Sequence, residues 1–393
     1  MIQSRYLSII KKHLLRVKGS KVIKDEKVVV TVEEIPEDLK SCLLQKYELI
    51  DLSGYLKDYK RINNYERNDR DRWNSILKEL PKFKKPSVVI FRTYLILDSY
   101  LLSLFPDKIL YLRAGSGYDN IDIDYAFSHG SFIENTPAAN TNAAVEHSIA
   151  LLFGSLKKIN VFNSSIKAGL WRDNISLNRE ISGKNILIIG FGNIGSEVAS
   201  VVKSLGGNVF VYDPYKSMAG SLDKFASALN TFQEKNEKEP SVDSDPDKDW
   251  QYWKEKLYEL TGKADIISFH LTLHDKTYKM INKEFLFSCK KDLILINSAR
   301  GEIFEEDDVY DFFSINKNAF LASDVFPFEP YVEGSKLLKL ENAIFSPHVG
   351  AYTYEARERL TEEVIRSIDA YFKDGTILNP VDKRFRFSPY FQN

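Results

Sequence analysis

Short apolar runs, each ended by a polar residue or a glycine, recur along the chain with room for a helix between successive runs. Lys27–Val32, Glu48–Leu52, Ser87–Phe91 and Ile109–Leu112 lie in the first third; Ile186–Ile189, Asn208–Tyr212, Asp265–Phe269, Leu293–Ile296, Ala319–Ser323 and Ala343–Phe345 follow later. Unbroken runs this short fit strands buried on both faces of a sheet. Helical patterns fall between them, at Ile35–Lys46, at Ala143–Lys157, from about Asn193, and at Glu355–Phe372. Strands alternating with helices predict an α/β protein with parallel sheets and crossover connections. Two stretches break the rhythm. Tyr59–Arg72 is dense in charge and asparagine and reads as a surface loop or helix end. The long interval between Tyr215 and Ala264 carries a charged, proline-bearing centre at Gln233–Asp249, and reads as a flexible surface insertion at about 219–250.

The segment Gly183–Asp213 is the most informative. Strand Ile186–Ile189 runs into Gly190, Gly192 and Gly195, a G-x-G-x-x-G turn, and the helix that follows begins near Asn193 and Ile194. Gly190 allows a tight turn, Gly192 the close approach of a pyrophosphate, and Gly195 the packing of helix on strand. The first-turn N–H groups of that helix would point at the phosphates. Asp213 ends the next strand, 18 residues after Gly195. A carboxylate there accepts from the adenosine ribose hydroxyls and repels a 2′-phosphate, which favours NAD over NADP. The same turn occurs in Rossmann domains that bind S-adenosylmethionine or have lost their ligand, and the turn alone does not separate these readings.

Composition adds mainly exclusions. The 393 residues suffice for two domains with full cores, and 44% hydrophobic with 28% charged residues is ordinary for a globular chain. A net charge of −1 leaves no footprint for a nucleic-acid partner. No apolar stretch reaches the roughly 18 residues of a membrane span, so no membrane partner is expected. Cys42, Cys289 and the six histidines show neither a disulfide framework nor metal-ligand spacing. Met1–Lys24 is basic, without an acid before Asp25, and places Leu7, Ile10, Leu14 and Val17 on one helical face. It reads as a basic amphipathic helix packed on the body; an organellar transit peptide is the alternative for a eukaryote. It lacks the apolar core of a secretory signal, and a cytoplasmic location is expected.

The ends of the later strands carry polar residues: His270, Asn297, Asp324 and Ser346. In open α/β sheets ligands bind at these carboxyl ends, so the four describe one cleft with the glycine turn. Arg300, Glu329 and His348 lie close by. Histidine titrates near neutrality and suits acid/base work on a hydroxyl. Arginine grips a carboxylate bidentately and polarises a ketone. A carboxylate beside an imidazole favours its protonated form. Singly, each residue has a plain structural reading; together they point to hydride-transfer chemistry.

The motifs RAGSGYDNID at Arg113–Asp122, NTPAANTNAAVEHSIALL at Asn135–Leu152 and KAGLW at Lys167–Trp171, with the glycine turn, NSARG, DVFPFEP and SPHVGAYTYEA, resemble the D-isomer-specific 2-hydroxyacid dehydrogenases, the group that includes D-3-phosphoglycerate dehydrogenase. The likeness covers roughly Lys27–Lys373. It implies two Rossmann- or flavodoxin-like domains: a discontinuous substrate domain at 1–138 and 351–393, and an NAD domain at 139–350. It implies that Arg300 binds substrate, His348 is the acid/base, and Glu329 orients it. The N–H groups of Ser116 and Gly117 would hold the substrate carboxylate. Asp324, Ser298 and Ala299 would face the nicotinamide, with Gly350 near it, and Pro214, His270 and Thr277 would line the adenosine and pyrophosphate side. Arg92, which follows a strand in FRTY, matches an arginine that binds the anionic end of phosphoglycerate. The expected assembly is a homodimer paired through the coenzyme domain, with Ala143–Lys157 as a suitable helix.

Three departures from the family pattern bear on loop geometry: Thr272 stands where proline is common, Ala351 where a glycine is usual, and the 219–250 insertion is long. The chain ends about 20 residues past its last helical pattern, so no regulatory domain is expected to follow. Two rivals remain at this level. An NAD(H)-sensing corepressor-like protein would keep the same three residues, and a methyltransferase would need none of them. A formate dehydrogenase is disfavoured, because that branch carries glutamine in place of Glu329.

Overall fold

The computed structural model describes residues 27–56, 87–93, 95–172, 177–215, 250–330 and 332–381. The readings of the basic N-terminal segment, of Tyr59–Arg72 and of nearly all of the 219–250 insertion lie outside the described residues.

Two parallel sheets carry the architecture, each with helices on both faces. The first contains β1 (Val28–Thr31), β2 (Glu48–Asp51), β3 (Val88–Phe91), β4 (Leu110–Arg113) and β5 (Phe132–Asn135), in the order β2-β1-β3-β4-β5. That order is flavodoxin-like. Successive residues alternate between its faces. Val29, Val88, Ile90, Leu110 and Leu112 pack on Leu39 and Leu43 of the helix Glu37–Lys46 and on Leu360, Val364 and Ile368 of the helix Tyr354–Asp374. Val28, Val30, Val89, Phe91 and Tyr111 pack on Leu101, Ile123 and Ala126 across the other face. Helix Tyr354–Asp374 therefore returns the chain from the second sheet to the first.

The second sheet contains β6 (Asn185–Ile189), β7 (Asn208–Tyr212), β8 (Ile266–Phe269), β9 (Ile294–Asn297), β10 (Phe320–Ser323) and β11 (Ala343–Phe345), in the order β11-β10-β9-β8-β6-β7. Chain direction across the sheet reverses between β6 and β8, which opens a crevice at their carboxyl ends. Ile186, Ile188, Ile266, Ile294 and Ile296 pack on Leu151, Leu152 and Leu156 of the helix Thr141–Lys157 and on Val198 and Val202 of the helix Asn193–Ser204. Leu187, Phe269, Leu295 and Leu321 face Leu257, Phe285, Val309 and Phe313 on the other side.

The α/β class and the paired parallel sheets agree with the sequence reading. Among the elements not anticipated are β5, the helix Ile159–Lys167, the helix Trp250–Lys263 and the helix Glu306–Ile315. One face of the helix Thr141–Lys157 is core within the chain: Val145, Leu151, Leu152 and Leu156 are buried under the second sheet. The exposed apolar side chains lie just beyond it, at Ile159, Ile166, Leu170, Trp171 and Leu177.

Phe285 is completely buried and touches both Phe269 and Tyr258. Phe285→Ala should remove about 3–5 kcal/mol of stability in urea unfolding, because the cavity cannot collapse between a sheet and two helices. A loss below about 1 kcal/mol would show that this face is loosely packed.

Candidate active site

The glycine turn closes as its spacing requires. Gly190 has φ +89°, and a Cβ there would lie 2.3 Å from the His270 carbonyl oxygen. A Cβ on Gly195 would lie 2.0 Å from the Gly190 carbonyl oxygen. Both positions exclude a side chain on steric grounds. A Cβ on Gly192 would meet nothing within 4 Å, so the open side of the turn is the side where a pyrophosphate is expected. Gly192 also caps the helix Asn193–Ser204 without a side-chain bond, so the first-turn N–H groups face this opening. Asn193 is exposed at the mouth, and Ile194 packs its side chain on the core beneath. Asp213 follows β7; its carboxylate accepts from Phe191 N at 2.9 Å and Tyr215 N at 3.0 Å, tying the turn to the neighbouring strand end. Pro214 is partly exposed beside it. His270 lies across the crevice at the end of β8, where burial pushes its imidazole down to about 3, so it is neutral near pH 7. The residues present thus fit a dinucleotide: an open turn, a helix N-terminus and a carboxylate at the second strand end.

Arg300 is set by its own turn. Asn297 clips the turn twice, accepting from Ala299 N at 3.0 Å and donating to the Arg300 carbonyl at 2.9 Å. Arg300 Nε donates to Asp119 Oδ1 at 2.9 Å and Nη1 to the Ala299 carbonyl at 2.7 Å. Asp119 follows β4, so this pair bridges the two sheets' units. A Cβ on Gly117 would lie 1.3 Å from Arg300 Nη2, which brings the guanidinium directly onto the Ser116–Gly117 backbone. Burial opposes both charges, but the pairing outweighs it: Arg300 is held above and Asp119 below their ordinary ranges. Beneath the same loop Arg113 is buried; burial pulls it down to about 10, and it stays charged. Asn135 Nδ2 donates to the Ser116 carbonyl at 2.6 Å and fixes the loop.

His348 and Glu329 form a dyad. His348 Nδ1 lies 2.5 Å from Glu329 Oε2, while Glu329 Oε1 accepts from Phe326 N at 2.9 Å. A Cβ on Gly301 would lie 1.9 Å from the Phe326 carbonyl carbon, so the turn after Arg300 rests on the loop that carries Glu329. His348 has φ +53°, a left-handed conformation that disfavours any residue with a Cβ. Asp324 holds it there. His348 N donates to the Asp324 carbonyl at 2.7 Å, and the Asp324 carboxylate accepts from Val349 N at 3.0 Å and Gly350 N at 2.8 Å. The same carboxylate accepts from Ser346 Oγ at 2.5 Å and faces His147 Nε2 at 3.2 Å.

Several expected cofactor residues have other partners here. Asp324 is 2% exposed, and its oxygens bond the histidine turn. Ser298 Oγ lies 2.8 Å from Ser148 Oγ on the helix Thr141–Lys157, and Ala299 is buried. Gly350 is buried against Asp324. Thr277 is also buried; its Oγ1 accepts from His274 N at 2.8 Å and donates to the Thr272 carbonyl at 2.8 Å, so it shapes its loop. Arg92 stands beside Arg113 after β3; its N–H donates to Glu33 Oε2 and its Nη1 to the Glu34 carbonyl at 3.2 Å. Asp119, Arg113 and His147 complete the site; none was singled out from sequence as a site residue, and His147, at a helical position, reads there as structural. All three lie in the quoted motifs, and an acid two residues past a glycine loop was the available signal for Asp119. Among the described residues no group of three or more His, Cys, Asp or Glu is placed to hold a metal, and no helix is long and apolar enough to cross a membrane.

Residues 149–350 match the family model described as D-isomer specific 2-hydroxyacid dehydrogenase, NAD binding domain. The chain is 33% identical over 267 residues to D-3-phosphoglycerate dehydrogenase 2, chloroplastic, of Arabidopsis thaliana, covering 66% of this chain and 38% of that protein. It is 29% identical over 312 residues to the D-3-phosphoglycerate dehydrogenase of Mycobacterium leprae, covering 77% of this chain and 54% of that protein. The match therefore spans 38% of the one relative's length and 54% of the other's. Among solved structures, a glyoxylate reductase from Paecilomyes thermophila shares the fold at a TM-score of 0.73 and 24% identity, covering 92% of this chain and 100% of that one. A D-lactate dehydrogenase from Aquifex aeolicus, complexed with NAD and lactic acid, aligns at a TM-score of 0.65 and 25% identity, covering 89% and 96%.

The Asp324 brace carries a pH signature. Burial alone would raise its carboxyl, but the bonds from His147, Ser346 and Val349 hold it below its ordinary value. A carboxyl lowered on folding stabilises the fold above its unfolded value, and that contribution is lost as pH falls through the folded value. Asp324→Asn should therefore cost about 1.5–3 kcal/mol at pH near 7, the worth of a charged hydrogen bond, and progressively less on acidification through the carboxylate range. Urea unfolding across pH checks this; a cost that does not change with pH would show that the charge is not what holds the turn.

Proposed function

The chain belongs to the D-isomer specific 2-hydroxyacid dehydrogenase family, and we propose that it reversibly oxidises a D-2-hydroxy acid to the 2-oxo acid with NAD as coenzyme. The observation that carries this reading is the His348–Glu329 dyad at 2.5 Å, with the Arg300 guanidinium laid on the Ser116–Gly117 backbone. Residues up to 138 and from 351 serve as the substrate-binding unit, and 139–350 as the coenzyme unit.

In this reading the Gly190–Gly195 turn and Asp213 hold the dinucleotide, which supplies or accepts the hydride at the substrate's C2. The Ser116 and Gly117 N–H groups and Arg300 grip the substrate carboxylate. Arg300 also polarises the carbonyl as charge grows on its oxygen. Glu329 engages Nδ1 of His348, so Nε2 is the nitrogen that gives the proton to the carbonyl oxygen and takes it back in the reverse direction. Asp213 would meet a 2′-phosphate with like charge, which favours NAD over NADP. Arg92, beside Arg113, suits a second anionic group on the substrate, as in phosphohydroxypyruvate. The exposed apolar side chains of the helix Ile159–Lys167 and of Leu170, Trp171 and Leu177 support a homodimer paired through the coenzyme unit.

A panel of 2-oxo acids with NADH, followed by loss of NADH absorbance, tests the activity: phosphohydroxypyruvate, hydroxypyruvate, glyoxylate and pyruvate. At least one should turn over, and binding of NADH without turnover of any would favour a sensor instead. His348→Gln should lower kcat by at least about a hundredfold with NADH affinity unchanged, and near-normal turnover would remove His348 from the mechanism. Arg92→Ala should raise KM for phosphohydroxypyruvate about tenfold or more and leave pyruvate unaffected, since a charged hydrogen bond is worth about 1.5–3 kcal/mol. Equal effects on both substrates would contradict the second-anion site.

A further inference from the structure

The helix Tyr354–Asp374 buries an apolar stripe of Ala356, Leu360, Val364 and Ile368, and two polar residues share that face, Glu363 and Ser367. A buried carboxylate on a core-facing helix is costly unless it is bonded, so its partners indicate why it is there. Glu363 is 6% exposed. Its Oε2 accepts from Ala139 N at 3.0 Å and its Oε1 from Asn379 Nδ2 at 3.2 Å. One turn earlier, Arg359 Nε donates to the Ala139 carbonyl at 3.0 Å. Ala139 therefore has both its N–H and its carbonyl bonded by the same helix.

The position of Ala139 gives this bond its meaning. The chain leaves the first sheet after β5 and enters the second unit at the helix Thr141–Lys157, so Ala139 lies in the first crossover. It comes back after β11 through the helix Tyr354–Asp374, the second crossover. Glu363 and Arg359 join the two crossovers to each other. Behind them Glu134 of β5 accepts from Ser367 Oγ at 2.6 Å and from Asn379 N at 3.2 Å, and the segment through Val381 pairs along the edge of β5. Any rotation of one unit against the other passes through these two links.

We propose that Glu363 is a positioning residue that pins the first crossover to the returning helix and so sets the geometry in which the cleft closes on substrate. It touches neither substrate nor coenzyme. With the pin in place, the units reach the arrangement seen here, with Asp119 on Arg300, along one defined path. Without it, the units sample wider angles and the closed arrangement is rarer. The proposal rests on the dehydrogenase reading for its kinetic arm, and its scattering arm stands apart from turnover.

The experiment compares the wild-type chain with Glu363→Gln, which keeps shape and loses the charge and one acceptor, and with Arg359→Ala, which removes only the second strap. Solution X-ray scattering is recorded without ligand and with NADH plus oxamate, an unreactive analogue of a 2-oxo acid. The wild type should contract; Glu363→Gln should lose most of that contraction, and Arg359→Ala should lose less. In turnover, Glu363→Gln should lower kcat and raise KM for the oxo acid together, by about tenfold or more in kcat/KM, with the NADH Kd unchanged. A variant that only melts earlier, with wild-type contraction, kcat and KM, would overturn the pin and leave Glu363 as a core polar residue. A wild-type chain that does not contract would overturn it as well. Contraction lost in the variant, in a wild type that turns over no oxo acid, would uphold the pin and count against the dehydrogenase reading.

Discussion

One charge pair across the cleft, Arg300 on Asp119, organises the site. Its two residues are 181 positions apart in sequence and come from the units of different sheets. Each charge alone would be costly in this partly buried place; together, with the Ala299 carbonyl taking another guanidinium N–H, they are stable. Breaking such a pair typically costs about 3–5 kcal/mol, because the survivor is left uncompensated. From Arg300 the contacts run without a gap. Gly301 rests on Phe326, Phe326 N–H bonds Glu329, Glu329 holds His348, and Asp324 braces the left-handed turn at His348 against His147. His348 and Arg300 are thereby fixed relative to each other through backbone contacts and the Glu329 carboxylate rather than by long free side chains.

The electrostatics suit an anionic substrate. Arg92, Arg113 and Arg300 stand near one another with Glu33 and Asp119 among them, and Glu302 and Glu329 also act on Arg300. Arg92 and Arg113 lie at the carboxyl ends of β3 and β4, beside the Ser116–Gly117 loop. A carboxylate arriving there would meet these guanidinium groups, and water leaving the cleft would strengthen the attraction. The coenzyme side is built differently. It uses a helix N-terminus and an open glycine turn, with a neutral His270 across the crevice.

Much of this was legible in the sequence, for identifiable reasons. Strands of an all-parallel sheet are buried on both faces, so β1, β3, β6, β9 and β10 appear as short apolar runs, and β8 as one interrupted by Ser268. The glycine turn was legible because each glycine answers a separate steric demand. β5 was missed because Glu134 and Asn135 interrupt its pattern; they are buried only because Ser367, Asn379 and the Ser116 carbonyl meet them from elements remote in sequence. The helix Trp250–Lys263 was hidden by the charged stretch that precedes it. Asp324 and Thr277 could be placed near the cleft, yet the side to which their oxygens turn depends on tertiary partners such as His147 and the Thr272 carbonyl. The partner of Arg300 depended on how two units meet, which no local pattern encodes.

The most direct test of this account is a double-mutant cycle on Arg300 and Asp119, read as kcat/KM for whichever 2-oxo acid the chain reduces. If Asp119 acts by holding Arg300 on the substrate carboxylate, Asp119→Asn should lower kcat/KM in the wild-type background and change it little once Arg300 is glutamine. The coupling should be about 1–3 kcal/mol, as for residues in one ion-pair network. Fully additive effects, with no coupling between the two positions, would contradict the account, since Arg300 would then act independently of the pair that is taken to position it.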